Sequence, residues 1–292
     1  MHCCSGSNDF SRLVFHSSKV KVMDPFQERD LVSRYAWTRI SYPPDLKDAV
    51  VNFLTEDERN KQLPFDQLVD VGCGSGQSTP LFADHFQTLI GVDCSQAQIE
   101  EAKRRNVHEN IEYKLGEGTT LPVADDSTTL VTVASSLLCF DIPTFYEEVR
   151  RILKPGGVLA IWGYNWPLFD CDGFPNESEA VNRFVDEVFT NKEQHLGSWL
   201  TTCEKQYAEL EPCFENERRF YSLLNGQRTI DEYLHFISCS EDFCQFQANI
   251  PNVDCMDYFR QRILDIFRNP KITGETTMNI KSTVFMLMSR KC

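Results

Sequence analysis

The run Leu68-Val69-Asp70-Val71-Gly72-Cys73-Gly74-Ser75-Gly76-Gln77-Ser78 constrains this chain more than any other stretch of it. An apolar, β-branched segment ends in an acid and three alternate glycines, and a polar segment able to open a helix follows. Without a Cβ such a turn can take φ > 0, and its backbone amides can come close to a bound ligand. The spacing is Asp-x-Gly-x-Gly-x-Gly. The dinucleotide fingerprint needs its third glycine at 77, where this chain has Gln.

A second acid strengthens the reading. Thr88-Leu89-Ile90-Gly91-Val92-Asp93 reads as a short buried strand ending in a carboxylate. In a doubly wound sheet the end of strand two lies beside the turn after strand one, where a carboxylate can accept both hydroxyls of a ribose. The alternative role for Asp93 is a helix cap, but Ser95 with Gln98 three residues later already supplies a capping box for the next helix.

Here the chain resembles a known family. Asp70-x-Gly72-x-Gly74-x-Gly76, the strand-end Asp93, Gly116-Glu117-Gly118 before Leu121-Pro122, and Leu153-Lys154-Pro155-Gly156-Gly157 resemble the class I S-adenosylmethionine-dependent methyltransferases. More narrowly, Tyr35-Ala36-Trp37-Thr38-Arg39-Ile40-Ser41-Tyr42-Pro43 is similar to the lid of the small-molecule group that contains trans-aconitate methyltransferases. The tail with Tyr207, Leu210, Pro212 and Phe214 has the same look. The resemblance spans roughly 25–290, and its motifs lie within 65–165.

Composition narrows the partners. A formal net charge of −14 opposes a nucleic-acid or anionic-membrane surface. No apolar run reaches the roughly 18 to 20 residues that a membrane span needs. The 12 cysteines show no CxxC pair and no Cys/His spacing of a zinc site, so no metal is expected. Cys73, Cys94 and Cys139 fall in sheet-core or site segments, where a small buried thiol acts as a hydrophobe. Scattered free thiols point to a reducing, cytoplasmic setting. Residues 1–22 are basic with one acid, Asp9, and lack the apolar core of a secretory signal. They read as disordered, and either an organellar leader or an extended start before Met23 accounts for them.

The order of elements gives an α/β fold: a doubly wound, seven-stranded, mostly parallel sheet with an N-terminal helical lid over 23–64 and a helical cap inserted at 170–213. The cofactor-binding core is expected at 65–169, and its C-terminal part at 214–292. Strands are expected near 68–71, 88–93, 111–115, 129–134 and 157–163, with helices near 77–86, 95–106 and 142–153, the last closed by Lys154-Pro155-Gly156-Gly157. Farther on, 215–224 reads as a strand, 229–247 and 254–268 as helices, and 276–289 as the end of the sheet, with a hairpin. Phe184, Phe189, Tyr207, Phe236 and Phe259 read as core by their helical spacing.

The resemblance also assigns roles, each beside a plainer one. It lays the methionine part of S-adenosylmethionine over Gly72, Gly74 and Gly76, with Asp70 receiving the ammonium; Asp70 could instead order the turn. Asp93 takes the ribose. Glu117 accepts from the adenine amine while the Gly118 N–H donates to the ring, or Glu117 is a solvated loop acid. Ser135 completes the cofactor set. Arg39 faces the cofactor carboxylate or an acidic substrate, a geometry its guanidinium suits, or it forms a surface ion pair. Tyr35, Phe140, Tyr164, Trp166 and His195 are candidates for the acceptor side, and Trp166 before Pro167 equally suits an anchor for the cap. The product would be S-adenosylhomocysteine.

The chain also departs from the family. Thr129 stands where an Asp is common, and Leu137-Leu138-Cys139-Phe140 replaces the frequent Leu-His-Trp-Phe. The missing histidine leaves three readings: a carboxylate acceptor that needs no base, a base from the cap such as His195, or cofactor binding without turnover. No catalytic residue is named. A small-molecule methyltransferase, a cofactor-binding protein acting through a partner, and an NAD-dependent oxidoreductase all remain open; Gln77 and the Glu117 loop oppose the last. A monomer or homodimer is expected.

Overall fold

The computed structural model describes residues 32, 41–189, 205, 207–250 and 252–292. Five strands, β1 (Phe65–Val71), β2 (Phe86–Asp93), β3 (Ile111–Leu115), β4 (Thr128–Ala134) and β5 (Leu153–Tyr164), pair in parallel in the order β3-β2-β1-β4-β5. β4 is buried along nearly its whole length, as a strand covered on both faces must be. The antiparallel side is built on β8 (Thr277–Arg290). Its second half pairs with β5, its first half with the short β6 (Leu168–Asp170), and its full length with β7 (Asn216–Thr229). Among the described residues the sheet is the expected one with a short addition: the three-residue β6, which resumes the line of β5 after Asn165-Trp166-Pro167, brings its strands to eight.

Two helical layers close the sheet. On one face α1 (Pro44–Thr55) and α2 (Gln96–Arg105) contribute Leu46, Val50, Phe53, Ile99 and Ala102 to a core with Phe82, Trp162, Met286 and Met288. On the other face α3 (Ile142–Ile152) buries Phe145, Tyr146, Val149 and Ile152 against Val131, Val133 and Ile161. Each fully buried side chain of that size contributes roughly 1.5 to 3 kcal/mol. Asp141 caps α3 by accepting from the Thr144 N–H at 3.3 Å.

A third cluster sits around β6 and the start of β8. Val181 and Val185 of α4 (Pro175–Phe189) pack with Ile230 and Tyr233 of α5 (Ile230–Ser238) and with Phe259, Ile263 and Phe267 of α7 (Cys255–Phe267). This helical layer thus draws on segments before and after β7. Phe259 and Tyr207 are core residues as expected, and Phe184 and Phe236 are partly buried; the Phe189 side chain is outside what the structure describes.

Four local expectations are corrected. The segment expected as a helix at 77–86 is a 3-10 run over Thr79–His85, where Pro80 follows two side chains tied back to β1. The Lys154-Pro155-Gly156-Gly157 turn is absorbed into β5 as an irregularity between the pairs Thr128↔Leu153 and Leu130↔Val158, with Gly156 at φ +81. The 229–247 helix is broken at Cys239-Ser240: Ser240 caps a separate α6 (Glu241–Asn249) by accepting from the Phe243 N–H at 3.2 Å. The expected hairpin at 276–289 is one uninterrupted strand, because β8 has partners along both edges. Among the described residues no helix is long and apolar enough to cross a membrane.

Candidate functional site

The glycine turn leaves β1 at the carboxyl edge of the sheet and is bonded to β2 at once. Gly72 and Cys73 donate to the Val92 carbonyl at 2.8 and 3.1 Å. Gly72, Gly74 and Gly76 all take positive φ, +68, +55 and +80. Two of them lack a Cβ for the protein's own sake. At Gly72 it would lie 2.6 Å from Ser136 Cβ, and at Gly76 2.6 Å from the Tyr113 hydroxyl. Gly74 differs: the nearest side-chain atoms, from Gln77 and Gln98, would be 3.7 and 3.8 Å away. Only there does the absent Cβ leave a cradle open.

Asp93 ties the turn to the next helix. Its Oδ2 accepts from the Gly74 N–H at 2.9 Å and its Oδ1 from the Ser95 N–H at 2.8 Å. The carboxylate is half-buried at the end of β2. Ser95 caps α2, accepting from the Gln98 N–H at 3.2 Å. The expected capping box is only half made. The Ser95 N–H is committed to Asp93, so Gln98 has nothing to return to, and its Oε1 is buried without a partner.

Asp70 is fully buried. It accepts from Ser78 Oγ at 2.7 Å, Thr79 Oγ1 at 2.6 Å and Thr132 Oγ1 at 2.8 Å. Burial raises its pKa despite these three donors. With no exposed surface and its donors supplied by protein, the carboxylate orders the turn, the plainer of its two expected roles. Tyr113 supports the same turn from β3, packed against Gly76 and Gly91 and hydrogen-bonded to Thr79. Ser78, Thr79, Thr132 and Tyr113 were all missed from sequence. Hydroxyls directly after a glycine turn were the only local signal, and they reached only the first two.

The opposite wall comes from the ends of β3 and β4. Gly118 is buried against Val71 and Phe140, and a Cβ there would come within 3.1 Å of the Phe140 ring. Phe140 stacks on Phe145 at 5.0 Å and also touches Gly72, so it lies between the glycine turn and the Gly118 loop. Glu117 is exposed, and its carbonyl accepts from the Thr120 N–H at 3.2 Å. Ser135 holds φ +57, donates its N–H to the Trp162 carbonyl at 2.8 Å, and carries a buried Oγ without a partner. A left-handed backbone and an orphaned hydroxyl coincide at this one residue.

The remaining candidates separate. Tyr164 lies on the α1 face beside Tyr42, ring centroids 6.4 Å apart. Trp166 packs on Phe236 of α5 at 5.9 Å and joins the helical layer, which is the anchor position. Tyr35, Arg39 and His195 lie outside the described residues. Of the three singled-out thiols only Cys73 is buried, with its pKa pushed well up by burial; Cys94, just past β2, and Cys139, at the end of the 3-10 turn Leu137–Cys139, are exposed.

A parallel sheet whose first strand runs into a glycine turn fastened by the acid of the second strand has the arrangement in which open α/β sheets bind nucleosides. The open cradle at Gly74, the Asp93 carboxylate beside it and the buried oxygens of Ser135 and Gln98 would suit S-adenosylmethionine there. Residues 69–161 match the family model described as a methyltransferase domain. A Dictyostelium discoideum protein provisionally named a methyltransferase is 27% identical over 227 residues, 77% of this chain and 82% of that one. A Saccharomyces cerevisiae protein provisionally named an S-adenosylmethionine-dependent methyltransferase is 27% identical over 179 residues, 60% of this chain and 57% of that one. In fold, the chain is similar to a solved structure from Anaeromyxobacter dehalogenans, provisionally named a type II methyltransferase: TM-score 0.65, 20% identity, covering 86% of this chain and 97% of that one. The chain has the class I methyltransferase fold, and it is an S-adenosylmethionine-dependent methyltransferase with S-adenosylmethionine as its cofactor.

Proposed function

We propose that the acceptor is a small molecule methylated on a carboxylate oxygen. The observation that carries this reading is what stands where the resembling family often has histidine. Leu138 is partly buried against the Phe145 core, and Cys139 beside it is exposed. The described histidines stand elsewhere: His85 and His108 precede β2 and β3 at the amino edge, and His235 is exposed on α5. A carboxylate is ionised near neutral pH and attacks without a base. The lid's resemblance to trans-aconitate methyltransferases supports the same acceptor, with Arg39 as its counter-ion.

S-adenosylmethionine supplies the methyl group as a sulfonium. The chain's part is alignment and exclusion of water, which can lower a barrier by roughly 7 to 11 kcal/mol. Asp93 and Gly74 hold the nucleoside end, Glu117 and Gly118 its base, and Phe140 packs beneath. On this reading the protein is a cytoplasmic monomer or homodimer without nucleic-acid or membrane partners.

The test is transfer of a labelled methyl group from the cofactor into a metabolite extract, with Asp93→Ala as control. A carboxyl ester releases its label as volatile methanol in alkali. Label that stays bound in alkali would place the methyl on nitrogen, carbon or a hydroxyl oxygen and overturn the carboxylate. Tight binding of S-adenosylhomocysteine with transfer to nothing would favour a cofactor-binding protein that acts through a partner.

A further inference from the structure

The Gln98 side chain sits at the third position of α2 and is 4% exposed. It makes no bond back to the helix cap, because Asp93 Oδ1 has taken the Ser95 N–H at 2.8 Å. Its Oε1 is buried without a partner and borders the open cradle: a Cβ on Gly74 would lie 3.8 Å from that oxygen. Gly74 in turn donates to Asp93 Oδ2 at 2.9 Å. A buried amide oxygen left unbonded is a cost that an apolar side chain of the same length, such as methionine, would not incur. Beside it, Ile99 and Ala102 are packed as such apolar residues.

We infer that the Gln98 amide is a ribose-recognition group of the cofactor site, accepting from a ribose hydroxyl between Gly74 and Asp93. The inference rests on the S-adenosylmethionine reading of the glycine turn and adds a residue to it. Ribose is the donor that fits, because Asp93 is the carboxylate a ribose would use and is one hydrogen bond from Gly74. The amide is then a positioning group whose cost in the free protein is relieved on binding.

Two readouts on the full chain test this. Calorimetry compares wild type and Gln98→Met for S-adenosylhomocysteine and for its 2′-deoxy and 3′-deoxy analogues; thermal melts compare the free proteins. Gln98→Met should bind S-adenosylhomocysteine about tenfold more weakly, and lose that difference against one of the two deoxy analogues. Its free form should melt at the same temperature as wild type or higher, since an unpaired buried polar group has been removed. Equal affinity of the two proteins, or a loss that persists against both analogues, overturns the assignment. A lower melting temperature with unchanged affinity also overturns it, by making the amide structural. Failure of wild type to bind S-adenosylhomocysteine would instead overturn the cofactor reading beneath it.

Discussion

At the amino end of the sheet Asp57 meets a guanidinium; at the carboxyl end Asp70 meets only hydroxyls. Asp57 is bonded to Arg59 Nε and Nη2 at 2.8 and 2.7 Å, and this pairing holds its carboxyl well below the usual range. Nearby, Arg290 is 5% exposed, donates to the carbonyls of Phe53, Leu54 and Gly156, and lies 4.5 Å over the Phe53 ring. Lys291 reaches Asp126 at 2.8 Å and the Arg150 and Leu153 carbonyls at 2.7 Å. Asp70 has three neutral donors, and burial raises its pKa. One end of the sheet spends its polar groups on holding the chain together. The other also leaves Ser135 Oγ and Gln98 Oε1 buried without a partner, beside the glycine turn. The amino end also leaves buried atoms without a partner, Asn60 Oδ1 and His85 Nδ1, so what sets the carboxyl end apart is the open cradle at Gly74.

The largest expected effect breaks the carboxyl end. Gly74→Val should abolish binding of S-adenosylhomocysteine by calorimetry, because the branched side chain fills the cradle. The same change should cost about 1 to 2 kcal/mol of stability for a non-glycine residue held at φ +55. At the amino end, Arg290→Met should lower stability by roughly 3 kcal/mol in urea melts, by orphaning buried carbonyls, and leave cofactor affinity unchanged. A joint loss of affinity would show that the two ends are coupled.

Acid titration sharpens the contrast through opposite signs. The lowered pKa of Asp57 gives stability that is present above its unfolded pKa and lost as pH falls through the folded one. The raised pKa of Asp70 gives stability that is full below its unfolded pKa, about 3.9, and lost as pH rises through the folded one. Asp70→Asn should therefore flatten the decline in stability on raising the pH from about 4, while the acid-side loss remains. An unaltered profile would mean that Asp70 is not the group responsible. The smallest effect is expected at Lys281, which pairs with Asp170 at 2.6 Å on the surface. Lys281→Ala should leave the melting temperature where it was.

Local chemistry carried the parallel half of the fold. The β-branched runs at 68–71, 88–93 and 129–134 became β1, β2 and β4, and the glycine turn with Asp93 came together as the strand order required. The C-terminal half was harder to read. β8 pairs with three strands far from it in sequence, and the break at Cys239-Ser240 turns on a single serine cap. In the site, Gly74, Asp93 and Ser135 were legible, whereas Thr132 and Tyr113 reach the turn from β4 and β3 through contacts that leave no local mark.

By itself the sequence determined the alternation of strand and helix, the position of the glycine turn and the acid that faces it, because backbone freedom and hydrophobic period are local properties. Only the tertiary structure decided what each polar group does. Asp70 and Asp93 are both strand-end acids in sequence. Packing buries the first beneath three hydroxyls and leaves the second half-open beside Gly74, and that difference in solvation, set by distant strands, separates a carboxylate closed off in the core from one at the cleft.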